Sequence, residues 1–217
     1  MYNKLSDHTD EQMSELAKYY DVVRPYFQVC ADSSVLEIGP FNGIVTNLYY
    51  DIADTIDLVE PNSQALPILQ NSFPNATLVW DDIFTYLKAP QTFDVVVCLG
   101  VLYHLHSPIQ LLEQLVNDVQ PSYILLDTSS SEHLVESPAG NYFNLGIAVE
   151  EVNTPGNYYT KPGKTGQRTP GISLSSFGPN CVTQVMTAMG YEPLCKPIMS
   201  PIGFKQDLAF LSFKRIN

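Results

Sequence analysis

Between residues 34 and 127 the chain alternates two textures. Short continuous apolar runs are separated by stretches that are apolar only at every third or fourth position. The runs SVLEIG (34–39), TIDLVEP (55–61), ATLVW (76–80), FDVVVCLG (93–100) and SYILLD (122–127) read as strands. They carry no clean polar alternation, which predicts a parallel sheet covered on both faces. Between them, residues 43–50 predict a helix. Ser63 is placed to cap a short helix through Leu69, with Pro67 in a first turn where its missing N–H costs little. Ser107, Pro108 and Gln110 make a capping box with an N1 proline, and Ile109, Leu112, Leu115, Val116 and Val119 form the apolar face that follows.

The flanks extend this reading. Thr9 and Gln12 make a capping box before Met13, Leu16, Ala17, Tyr20 and Val23, and Pro25 ends or bends that helix, so residues 1–30 are an N-terminal helical segment. Residues 128–172 are rich in Ser, Gly, Pro, Asn and Tyr, the texture of a long functional or disordered loop. Pro179 and Gly190 bracket another helix. YEPLCKPIM (191–199) and DLAFLSFKRI (207–216) are two further strands, and their short link favours an antiparallel hairpin. The fold class expected is Rossmann-like α/β: a seven-stranded, mostly parallel sheet with helices on both faces and an antiparallel last strand. One domain over residues 1–217 accommodates it, with 128–172 as an insertion or lid.

Composition narrows the function. The net charge is −12 and the few basic residues are scattered, with mild concentration at Lys161, Lys164 and Arg168. Such a surface repels phosphate backbones, so a small-molecule substrate is favoured over nucleic acid. Solubility alone also explains the acidity, and homo-oligomerisation stays open. No apolar run long enough to span a membrane occurs, and the first residues lack the apolar core of a signal peptide. Cysteines 30, 98, 181 and 195 form no C-x-x-C pair and read as free thiols of a cytoplasmic protein. The histidines at 8, 104, 106 and 133 show no metal-ligand spacing, so no metal is expected.

The candidate chemistry centres on VLEIGPFNGIVTNL (35–48). In an open α/β sheet, ligands bind beyond the carboxyl ends of the strands. Gly39 and Gly43 form the turn after the first strand, where backbone approaches a ligand closely. Glu60 follows Gly39 by 21 residues and ends the second strand, placed to accept hydrogen bonds from ribose hydroxyls. Phe41 and Ile44 stand where a dinucleotide fingerprint has glycines, and the P-loop pattern is absent. A ligand with ribose but no pyrophosphate fits better, and S-adenosylmethionine is one. Its amino cation and sulfonium would be opposed by Glu37. Taken singly, the glycines also fit a plain turn, and Glu60 and Asp82 also fit solvated acids. The three acids gain weight because each falls at or just past the carboxyl end of a predicted strand.

LEIGPFNG, LVEPN, WDDIF and FDVVVCLGVLYHLHSP resemble the successive motifs of class I S-adenosylmethionine-dependent methyltransferases, over about residues 34–127. The resemblance implies S-adenosylmethionine as cofactor. It places Glu37 near the methionine amine, Glu60 on the ribose, Asp82 on the adenine amine and the Ile83 N–H on the ring. Phe41 and Pro61, in the same turns as Gly39, Gly43 and Glu60, join the candidate cofactor contacts. It also implies a seventh strand lying antiparallel between the fifth and sixth. The strand-four segment LGVLYHLHSP (99–108) is similar to that of the tRNA wobble-uridine carboxymethyltransferases, whose counterparts of Tyr103 and Leu99 help hold a carboxylated cofactor. This chain departs from that group, with Leu105 and His106 where it has arginines.

Methyl transfer is an in-line displacement, so alignment carries most of the barrier reduction, and a base is needed only for a protonated nucleophile. His104 is the first candidate base, with Tyr103 beside it; a turn-shaping bond to a backbone carbonyl is the alternative for His104. Asp127, ending strand five, is either a substrate contact or a cap. Tyr142, Phe143, Tyr158 and Tyr159 provide either an aromatic wall over the site or packing elsewhere. Lys161, Lys164 and Arg168 either meet an anionic substrate or lie in solvent.

Overall fold

The computed structural model describes residues 18–102, 105, 107–129, 135–136, 142–143, 178–200 and 208–216. Five strands come first: β1 (Ser34–Ile38), β2 (Thr55–Val59), β3 (Thr77–Val79), β4 (Val95–Cys98) and β5 (Tyr123–Ser129). All pair in parallel, in the order β3–β2–β1–β4–β5. A two-stranded antiparallel ribbon, β6 (Val135–Glu136) and β7 (Tyr142–Phe143), stands apart from this sheet. The last strands are β8 (Tyr191–Pro193), β9 (Ile198–Met199) and β10 (Leu208–Arg215). β10 lies antiparallel between β5 and β8, as expected, and β9 adds a short eighth strand along it.

Both faces of the sheet are buried, which is why its strands read as unbroken apolar runs. On one face Leu36, Ile38, Val96, Cys98, Ile124 and Leu126 pack against helices α3 (Ile83–Tyr86), α4 (Pro108–Gln114) and α5 (Pro179–Ala188). On the other, Val35, Val95, Val97, Leu99, Leu125 and Phe210 meet α1 (18–23), the 3-10 segment Arg24–Cys30 and α2 (Leu66–Ser72). The alternation within β4 assigns its neighbours: Glu37 shares a face with Val35, and Asp127 with Leu125, on the side covered by α1.

Four local expectations change. The helix expected over 43–50 reduces to one 3-10 turn, Thr46–Leu48; Thr46 and Tyr49 turn inward onto a buried acid, leaving no solvent-facing polar stripe. α2 starts later than Ser63 predicts, with Ala65 at its N-cap, while the Asn62 carboxamide takes the Gln64 N–H. Ser107 stands at the N-cap of α4 without a side-chain capping bond, and Pro108 fills the first turn. Leu111 and Leu112 lead the buried face of α4, and Ile109 is 39% exposed. Finally, the strand expected over 191–199 breaks between β8 and β9, where residues 194–197 stand opposite only 211 and 212 of β10. Pro193 and Pro197 cannot donate to a ladder, so this edge strand bulges. The Thr9 capping box and residues 144–172 lie outside the described residues.

Candidate functional site

The site is built at the carboxyl ends of β1, β2, β4 and β5. Gly39 leaves β1 with φ +68°, and its N–H donates to Val59 O across to β2 (2.9 Å). A Cβ there would lie 2.5 Å from Val101 Cγ2, so the turn and the segment after β4 touch. Phe41, a non-glycine, also takes a left-handed backbone (φ 51°), a conformation that costs an L-residue about 1 kcal/mol. Gly43 has φ +78°, and a Cβ on it would overlap the Phe73 ring, 2.7 Å from Cζ.

Glu60 locks this turn. One carboxylate oxygen accepts the Phe41 N–H (2.9 Å) and the other the Asn62 N–H (2.8 Å), so the acid ties the β1 turn to the β2 turn. It is 5% exposed, and burial raises its pKa while the two backbone donors pull it back. Each oxygen keeps a further acceptor position for a ligand hydroxyl. Pro61 is exposed, and its carbonyl receives the indole N–H of Trp80 (3.2 Å), itself 67% exposed.

Glu37 is 2% exposed in β1. Its Oε2 accepts from Thr46 Oγ1 (2.6 Å) and Tyr49 Oη (2.5 Å), and the Tyr49 ring stacks on Phe27 from the N-terminal segment. Burial pushes its pKa up to about 7; the two hydroxyl donors oppose this and the Glu60 charge adds to it. β5 runs two residues past the expected end at Asp127, to Ser129; Asp127, 4% exposed, reaches across to β4 and accepts the Gly100 N–H (2.7 Å). Burial lifts it to about 7 as well. Gly100 has φ +76°, so this bond fixes a sharp bend after β4. Tyr20, on α1, has its pKa raised by burial and by the charges of Asp127 and Glu37, which sets it close to both acids.

Asp82 sits at the N-cap of α3, where its oxygens accept the Thr85 N–H (3.1 Å) and Thr85 Oγ1 (2.6 Å). Ile83 is buried in the first turn, and Leu99 is buried on the α1 side of β4. The structure therefore gathers Glu37, Gly39, Phe41, Gly43, Glu60, Pro61, Asp82, Ile83 and Leu99 along one sheet edge. Tyr103, His104 and His106 lie outside the described residues.

A methyltransferase domain matches residues 7–161, more than half of the 217-residue chain. This chain belongs to the methyltransferase-domain family. Two curated relatives of the domain are named tRNA U34 carboxymethyltransferase. The one from Wolinella succinogenes is 27% identical over 149 residues, covering 59% of this chain and 50% of that protein. The one from Helicobacter hepaticus is 37% identical over 85 residues, covering 35% of this chain and 27% of that protein. The chain thus spans at most half of either relative. Among solved structures, the N-methyltransferase NodS from Bradyrhizobium japonicum WM9, in complex with S-adenosyl-L-homocysteine, has the same fold, with a TM-score of 0.61 at 14% identity over 93% of this chain and 87% of that one.

The sequence pattern did not reveal the partners that hold the acids of this methyltransferase domain. Thr46 and Tyr49 look like ordinary helix positions, and only their spacing, one turn apart, hints at a shared inward face. The apolar run places Asp127 at a strand end, and nothing in the sequence pairs it with Gly100. The four cysteines are free, with Cys30 and Cys98 buried. No helix among the described residues is long and apolar enough to cross a membrane.

Proposed function

We propose that this chain binds S-adenosylmethionine at the carboxyl edge of β1, β2 and β4 and transfers its methyl group to a small-molecule acceptor. The observation that carries the reading is the turn at Gly39 and Gly43, fastened to the next strand by Glu60 and backed by the buried Glu37. The group fits the residues present: two acids buried without a basic side chain acting on them among the described residues suit a ligand with two cationic centres, an ammonium and a sulfonium. Bound there, the cofactor supplies a methyl group on an electron-poor sulfonium.

The chain's own residues bind and align. Glu60 takes ribose hydroxyls on its remaining lone pairs while its bonds to Phe41 and Asn62 hold it still. Glu37 opposes the amino cation, with Thr46 and Tyr49 fixing its rotamer. Asp82 and the Ile83 N–H take the adenine edge, and Pro61 and Leu99 border the ligand. Tyr103 and His104 come after β4 in the sequence and are assigned to the substrate side, with His104 as base where the acceptor must lose a proton. One domain is part of this reading, and the four free thiols support a reducing, cytoplasmic setting.

The curated relatives' name supports a second reading: the carboxylated cofactor, and transfer to the wobble uridine of tRNA. Calorimetric titration with S-adenosylmethionine, S-adenosylhomocysteine and carboxy-S-adenosylmethionine separates the two. Comparable binding of the first two and none of the third supports methyl transfer. Selective binding of the third favours the tRNA reading, and binding of none refutes both.

A further inference from the structure

Glu60 and Asp82 are assigned above to the nucleoside, and Glu37 to the amino acid end. Asp127 has no such role, yet its position is unusual. β4 lies between β1 and β5, and Glu37 pairs with Val97, which pairs with Leu125. Asp127 is therefore two strands and two residues from Glu37, on the order of 12 Å between Cα atoms, and on the same α1-side face of the sheet. One step past the Cys98–Leu126 pair, it is level with Leu99, beside the Gly100 bend after β4, where the cofactor reading above puts the reacting end of the ligand.

Its chemistry is as telling as its place. Asp127 is 4% exposed, and the bond it makes is to the Gly100 N–H (2.7 Å). A carboxylate has more acceptor positions than one donor fills, and no basic side chain among the described residues acts on it. On the α1 side the titratable groups that feel its charge include Tyr20, which is not a cation, while Cys98 lies on the other face of the sheet. A neutral acceptor would hold the Gly100 bend equally well, so the charge itself needs an explanation.

We propose that Asp127 is a specificity-determining residue that makes the site prefer a ligand with positive charge at sulfur over one without it. This rests on the cofactor reading above and deepens it. Before transfer the sulfur is a sulfonium; after transfer it is a neutral thioether. A buried carboxylate within several ångström of that atom favours the charged form by roughly tenfold or more. Asp127 thereby holds the substrate form and lets the product form go.

The test is calorimetric titration of the full chain at pH 8 with S-adenosylmethionine and S-adenosylhomocysteine, comparing wild type with Asp127→Asn. Asparagine keeps the volume and one oxygen able to accept from Gly100; it removes the charge and turns the second oxygen into an NH2 donor. S-adenosylmethionine should weaken about tenfold, with S-adenosylhomocysteine nearly unchanged. Equal weakening of both ligands, or no change in either, overturns the proposal while leaving the cofactor reading intact. A wild-type chain that takes neither ligand overturns both. Should the variant not fold, wild type is titrated with an analogue carrying a primary amine in place of the sulfonium. Binding tighter than S-adenosylhomocysteine supports the proposal; weaker or equal binding refutes it.

Discussion

Consider Glu60→Gln. The side chain keeps its size but changes its hydrogen-bonding ends. In the native site two oxygens accept two backbone N–H groups, Phe41 at 2.9 Å and Asn62 at 2.8 Å. Glutamine offers one acceptor and one NH2, so one of the two N–H groups now faces another donor. A hydrogen bond to a charged group contributes about 1.5–3 kcal/mol, and a buried donor left unsatisfied costs about 1–3 kcal/mol. These overlap, and a net loss of about 2–4 kcal/mol follows. In a chain of this length each kcal/mol lowers Tm by about 2–4 °C, so thermal unfolding followed by circular dichroism should shift down by about 5–15 °C. The turn that holds Phe41 at a left-handed φ loses its anchor, and the ribose loses a charged acceptor. Calorimetry should therefore show S-adenosylhomocysteine binding weakened at least tenfold, measured well below the variant's Tm. A variant that melts with the wild type and binds as tightly would refute both the structural and the ligand role of Glu60.

Other consequences are sharper in contrast than alone. Gly43→Ala adds a Cβ into the Phe73 ring at positive φ, and should cost about 2–4 kcal/mol in urea unfolding. Gly190→Ala, at φ +86° with nothing within 4 Å of the new Cβ, should cost only about 1 kcal/mol; equal costs would remove the packing argument. Glu37 and Asp127 both have folded pKa values raised to about 7, so the folded chain takes up protons that the unfolded chain releases above about pH 4.5. Their contribution to stability is full below that unfolded value and is lost as pH rises through 7; the urea midpoint should be higher at pH 5.5 than at pH 8, and a higher midpoint at pH 8 would contradict it. Tyr49→Phe removes a donor from the Glu37 carboxylate and should destabilise more at pH 8 than at pH 6, whereas an equal loss would mean the acid does not change charge between them. Trp80, the sole tryptophan and 67% exposed beside Pro61, should change its fluorescence when S-adenosylhomocysteine is added; an unaltered spectrum would argue against an adenine between β2 and β3.

The sheet was legible because a parallel strand buried on both faces must be apolar at nearly every position. VVVC in β4 admits no other place, and its four residues are all buried. The acids at strand ends were legible for a related reason: Glu37, Glu60 and Asp127 interrupt or end apolar runs, which in a packed sheet happens only where a ligand or a turn requires it. Local geometry was not legible. The helix expected over 43–50 fails because Thr46 and Tyr49 serve Glu37, and helical spacing cannot distinguish an inward hydroxyl from an outward one. The break between β8 and β9 depends on register with β10, a long-range property that Pro193 and Pro197 only hint at. Asp82 shows both limits at once: its place after β3 was readable, while its two bonds to Thr85 emerge only in three dimensions.

The most direct test of the account is a crystal structure of the chain grown with S-adenosylhomocysteine. The ribose hydroxyls should lie on Glu60, the amino group toward Glu37 and the adenine between Pro61 and Ile83, with the Gly39 turn beneath the sugar. A ligand seated away from the carboxyl ends of β1 and β2, or a saturated crystal with none bound, would contradict it.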